Sequence, residues 1–317
     1  NNMILATIYI LTYKRFESVY QTIQSALDQD YQNIELFVSD DGSPNFPYQE
    51  IVDYIEVHKK NNIAIHHVLN NKVNVGTVRH INNILKQAKG DLFIPLAGDD
   101  CFFNNTVVSR IVERYEQTNF KVLSTSRAMF MEEGKYLSLM PHYKSRARIA
   151  KKMATAKQQH KAFTECMMMD FASGSAMTYE AAFLKEMDYF DERYRLWEDG
   201  PFINKMTSQG YAVSTAYDII SIKYRGGGVS TGSNPIMRAD ILVFNDSDIW
   251  INSDAYRWYH KRILSYNHKK FLPNSNLKRI YNRLMYCDVV ISQLIYQFKE
   301  KMASKYDIPE LQKFIRK

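Results

Sequence analysis

Cysteine is scarce in this chain. Among 317 residues only Cys101, Cys166 and Cys287 occur, isolated and without CxxC spacing. That excludes a disulfide scaffold and fits a reducing compartment. Glycine (12) and proline (8) are few as well, which excludes low-complexity chains. No apolar run reaches the roughly 18 residues that suggest a spanning helix. The start, Asn1-Asn2-Met3, offers no basic flank before Ile4–Leu11, and no small-residue cleavage site follows. It therefore reads as a strand, not a signal peptide. These absences predict a cytoplasmic protein, at most peripheral at the inner face of a membrane.

Apolar residues make up 45% of the chain and aromatics 13%, enough for a large core and against intrinsic disorder. Charge is uneven. Lys and Arg total 41 against 34 Asp and Glu, yet residues 255–317 hold 14 basic and 4 acidic residues, a net of +10. A basic C-terminal segment on a near-neutral body suits an anionic surface, or simply a solvated helical face.

The first 130 residues alternate strand and helix patterns. Ile4–Leu11, Ile34–Val38, Ile63–Leu69 and Leu92–Leu96 are short apolar runs. Helical spacing follows in Phe16–Leu27, near 47–60, in Val78–Ala88 and near 105–118, before a strand near 121–130. Such alternation predicts an α/β fold with a Rossmann-like, mostly parallel sheet flanked by helices. Residues 144–161 are basic with poor periodicity and are expected to be mobile or partner-facing. Leu277–Met302 keeps a helical period, with Lys and Arg interleaved. We expect a catalytic domain over 1–235 and a basic, mainly helical extension over 236–317.

In open α/β sheets, ligands bind beyond the carboxyl ends of the strands. Polar clusters lie at those ends: Thr12–Arg15, Asp40-Asp41-Gly42-Ser43, and Gly98-Asp99-Asp100. Adjacent carboxylates repel unless a cation or donors balance them. Mg²⁺ or Mn²⁺ would bind carboxylate and phosphate oxygens together, and Gly98 would let backbone approach a ligand. Without a ligand, Asp99 or Asp100 would merely cap a helix or shape a turn. Asp41 can accept from a nucleobase or ribose, or form a plain Asx turn. Arg79 opens a helix after Asn74-Val75-Gly76, a place for a cation only if it shares an anion with free N–H groups, or else a surface arginine. Trp197-Glu198-Asp199 is an acidic turn in which burial and a neighbouring carboxylate would raise the pKa of Asp199 toward that of a general base; a helix N-cap is the plainer reading. Arg225–Ser230 includes three glycines that can wrap phosphates.

The ordered set resembles the family 2 glycosyltransferases of GT-A fold that build bacterial surface polysaccharides. The matching pieces are Leu11–Arg15, Val38–Ser43, Asn74–Gly76 with Arg79, Ala97–Asp100, Trp197–Asp199 and Gly227–Ser230. The resemblance implies an NDP-sugar donor, UDP-sugar first. Thr12 and Arg15 would flank the nucleotide, with Asp41 at its base and Arg79, Gly227 and Ser230 along the donor. Asp99 and Asp100 would form the metal and ribose site, with either of them as the metal ligand. Asp199 would be the catalytic base, with Glu198 beside it. Ala97 stands where many members have the first Asp of DxD, and Tyr224-Arg225 where a His ligand often lies. The acceptor would be a glycan or lipid-linked oligosaccharide, with the C-terminal helices packing inward, on a twin subunit, or on an anionic leaflet. No nucleic-acid partner is expected, because carboxylates repel phosphates without a metal. The rivals are a nucleotidyltransferase making NDP-sugars, which would usually carry a glycine-rich loop after the first strand, and a non-catalytic binding module.

Overall fold

The computed structural model describes residues 3–131, 135–166, 171–226, 234–249 and 257–315. Strands β1 (Ala6–Thr12), β2 (Ile34–Asp40), β3 (Ile63–Asn70) and β4 (Leu92–Ala97) pair in parallel in the order β3-β2-β1-β4. Helices α1 (Val19–Leu27), α2 (Tyr48–His58) and α3 (Thr77–Leu85) connect them. Strands β1, β2 and β4 are largely buried because both faces are covered, whereas the edge strand β3 is buried only in part. The two-residue period sends Ile8, Leu36 and Ile94 to one core and Tyr9, Phe37 and Phe93 to the other.

The sheet continues through β5 (Cys101–Phe102), helix α4 (Val107–Thr118), β6 (Val122–Phe130) and β7 (Tyr136–Met140). After helices α5 (Arg146–Lys152) and α6 (Ala156–Cys166), strand β8 (Met177–Glu180) inserts antiparallel between β4 and β6. Helices α7 (Ala181–Glu186) and α8 (Asp199–Ser208) then lead to β9 (Ser214–Tyr224), parallel to β6. Six of the nine strands thus run in one direction, while β5, β7 and β8 oppose them.

Residues 144–161 differ from expectation. They form α5 and most of α6, and Ile149, Met153, Ala156 and Gln159 are buried at helical spacing. The amide of Gln159 bonds both ways with the backbone of Val213. The abundant surface cations hide this inward stripe from a reading of the sequence.

The C-terminal part is helical: α9 (Pro235–Val243), a π-helical turn (Phe244–Ile249), α10 (Trp258–Phe271), α11 (Asn276–Met285), α12 (Cys287–Ser304) and α13 (Asp307–Ile315). Met237, Ile241, Phe244 and Leu264 join the same core as Tyr9 and Phe37. No described helix is long and apolar enough to cross a membrane.

Candidate active site

The carboxyl ends of β1, β2 and β4 meet tightly. The amide of Asp41 donates to the carbonyl of Thr12 (3.0 Å), and that of Gly98 to the carbonyl of Leu11 (2.9 Å). A Cβ on Gly98 would lie 2.8 Å from both Leu11 O and Thr12 Cγ2. The glycine therefore admits neighbouring protein rather than a ligand, which corrects the sequence-based reason for it.

Asp40 and Asp41 divide the work of their turn. Asp40 accepts from the hydroxyls of Thr12 (3.0 Å) and Ser43 (2.9 Å) and closes the turn. Asp41 points the other way. It accepts from Asn71 Nδ2, Asn74 Nδ2 and the amides of Val75 and Gly76, all within 3.0 Å. Two donors on each oxygen make Asp41 the organiser of the loop that opens α3. Arg15 is exposed in the turn after β1.

Arg79 stands on the surface near the start of α3. It is 57% exposed and its Nε donates to Glu192 (3.0 Å). The amides around the helix start are already engaged: Gly76 with Asp41, and Val78 with the carbonyl of Arg195. No local pattern points to Glu192, 113 residues away, as its partner.

Asp100 is 1% exposed. Its Oδ1 accepts from the Arg225 amide (3.0 Å), whereas Oδ2 is buried without a hydrogen-bond partner. Burial lifts its pKa to about 7; Asp99 adds to the rise, and the Arg225 amide opposes it. A buried, unpaired carboxylate oxygen beside a second carboxylate fits a hard divalent cation. Among the described residues no three His, Cys, Asp or Glu side chains cluster to hold a metal. Two carboxylates would leave most of the coordination to other oxygens, such as those of a diphosphate.

Glu198 and Asp199 begin α8. Asp199 Oδ2 accepts from the Gly174 amide (2.7 Å) and Oδ1 from the Gly200 amide (2.8 Å). A Cβ at position 174 would lie 2.7 Å from Glu198 Oε1 and 3.0 Å from Asp199 Oδ2, so only glycine fits there without displacing them. Burial raises both carboxyl pKa values, and Glu198, repelled further by Asp199, reaches about 8. Asp199 has two amide donors and a nearby cation, Arg127, so it ionises first while Glu198 keeps its proton.

Arg127, on β6, went unnoticed in the sequence. Its Nη1 donates to Ser175 Oγ (2.9 Å), its guanidinium lies 4.0 Å from the Tyr224 ring centre, and its buried Nε has no partner. Its charge lowers the pKa of both Asp100 and Asp199. Asp100 and Asp199, 99 residues apart in sequence, therefore both lie within the field of one cation. Asp240, on α9, was also missed. It accepts from the amides of Arg195, Leu196 and Trp197 and fixes the approach to Glu198. Arg195 Nη2 in turn reaches Asn74 Oδ1 (2.6 Å), joining this loop to the one held by Asp41. Gly227 and Ser230 lie outside the described residues.

Comparison with known proteins identifies the family and the fold. The profile described as glycosyl transferase family 2 matches residues 7–177. The chain belongs to glycosyl transferase family 2. An uncharacterized glycosyltransferase of Rickettsia bellii is 33% identical over 132 residues, 41% of this chain and 18% of that protein. The Escherichia coli enzyme WfaP, a UDP-Glc:alpha-D-GlcNAc-diphosphoundecaprenol beta-1,3-glucosyltransferase, is 31% identical over 109 residues, 34% of this chain and 41% of WfaP. These matches span less than half of either relative's length. Among solved structures, S. aureus TarS 1–349 in complex with UDP-GlcNAc aligns with a TM-score of 0.53 at 17% identity, over 85% of this chain and 82% of TarS 1–349. The mannosyltransferase PcManGT of Pyrobaculum calidifontis, in complex with GDP-Man and Mn²⁺, aligns with a TM-score of 0.57 at 13% identity, over 92% and 87%. The family 2 glycosyltransferase fold is thus the GT-A architecture, with its sheet extended by the reversed strand β8.

Proposed function

We propose that this family 2 glycosyltransferase moves a sugar, with inversion, from an NDP-sugar to a hydroxyl of a glycan or lipid-linked acceptor. UDP-sugar is the first donor to test, given WfaP and the TarS complex. The observation that supports the reading is that Asp100 and Asp199, both buried, feel the charge of the same Arg127. A donor laid across this edge has its diphosphate beside Asp99 and Asp100 and its anomeric carbon toward Asp199.

Asp199 accepts the proton of the attacking acceptor hydroxyl. The Gly174 and Gly200 amides hold both of its oxygens, and Glu198 stays protonated beside it, so one base acts and the two do not repel. Asp100, with Asp99, would hold Mn²⁺ or Mg²⁺, which would supply positive charge against that developing on the departing diphosphate. Arg127, rather than Arg79, supplies the fixed positive charge between the two sites. Thr12 and Arg15 border the nucleotide, and the loop held by Asp41 lies under its base.

Asp199→Asn tests the reading. The single amide oxygen keeps one of the two glycine amide donors, the NH2 group faces the other, and the side chain is no longer a base. UDP affinity by calorimetry should stay unchanged while transfer falls about 10²–10⁴-fold. Transfer at the wild-type rate would remove Asp199 as the base.

A further inference from the structure

We propose that the outward face of α11 and α12 is a docking surface for an anionic lipid bilayer. Leu277, Ile280 and Leu284 on α11 recur at steps of three and four, as do Ile291, Leu294 and Phe298 on α12. All six are more than half exposed, Leu277 at 81% and Phe298 at 64%. The inward contacts of α12 include polar ones: Gln293 donates to Asn267 (3.0 Å), and Glu300 accepts from Ser145 Oγ (2.9 Å) and Arg148. The two helices are thus turned with their apolar stripes toward solvent, the reverse of ordinary globular packing.

Charge selects the occupant. Lys278, Arg279, Arg283, Lys299 and Lys301 are exposed on the same two helices, within a segment of net charge +10. Exposed Lys144, Lys151 and Lys152 belong to the stretch tied to α12 through Glu300. Facing a second copy, these cations would meet their own kind. An anionic leaflet neutralises them, takes the apolar side chains into its acyl boundary, and lets the long basic stems reach the headgroups. No described helix can span the bilayer, so the contact is lateral. This surface does not rest on the sugar chemistry, and its failure would leave that reading intact.

The test is co-sedimentation of the chain with phosphatidylcholine vesicles, with and without phosphatidylglycerol, in parallel with sedimentation velocity. The chain should pellet only with the anionic vesicles. Lys278→Gln, Arg279→Gln and Arg283→Gln together should weaken binding on the order of 100-fold, about fivefold per charge. Leu294→Ser with Phe298→Ser should abolish it at an unchanged melting temperature. Absence of binding, equal binding to neutral vesicles, or a dimer that only the serine variant dissolves would overturn the proposal.

Discussion

Arg127 shows what one side chain does when it faces two acids. It is the cation whose field favours the ionised form of both Asp100 and Asp199. Arg127→Gln removes that field, so the Asp199 carboxyl holds its proton to higher pH. A base is active only when ionised, and the acid limb of the kcat/KM profile should therefore move upward by about one pH unit. Loss of packing alone would lower stability and leave the limb in place, so an unmoved limb would reduce Arg127 to a structural role. Asp100 was legible in the sequence because paired carboxylates after an apolar strand are costly without a counter-charge, and Asp199 because it lies in a compact acidic turn beside Trp197. Arg127 was not. An arginine inside a strand carries no signal until β6 is seen beside Ser175 and Tyr224.

At the scale of elements, the helix α9 determines where the proposed base, Asp199, stands. Asp240 is a lone carboxylate in the apolar helix Pro235–Val243, and it gathers three successive amides of the segment before Glu198. Asp240→Ala leaves those donors unpaired, which costs about 1–3 kcal/mol. Urea denaturation should register that loss, and kcat should fall with the donor KM nearly constant, because the Glu198-Asp199 step loosens while the β1–β4 edge does not. An intact kcat in a destabilised variant would mean that α8 holds its own start. Elements with a strong local period were readable: the helix expected near 47–60 is Tyr48–His58, and the strand expected at Ile63–Leu69 is Ile63–Asn70. The antiparallel strand β8 was not readable. Four residues carry no directional information, and their pairing with both β4 and β6 is decided by tertiary packing.

Across the whole molecule, the C-terminal helices are joined through β7 to β6, the strand that carries Arg127. Asp307, fully buried at the start of α13, accepts from the amides of Leu139 and Tyr143 and from His142 Nδ1, all within 2.9 Å. Leu139 pairs with Ala128, the neighbour of Arg127. One carboxylate thus fastens the helical tail to the strand pair that carries the shared cation, and Leu311 adds a small apolar contact with Ala128, Leu139 and Ile220. Asp307→Ala strands three donors and should open this junction locally rather than globally. With about 1–3 kcal/mol lost, amide exchange in α13 and around Tyr143 should quicken roughly 5–150-fold, with β1–β4 protection and UDP affinity retained. If exchange at α13 is unaltered, the tail is fastened by other contacts, and a tail that docks elsewhere would then have no rigid route to Arg127.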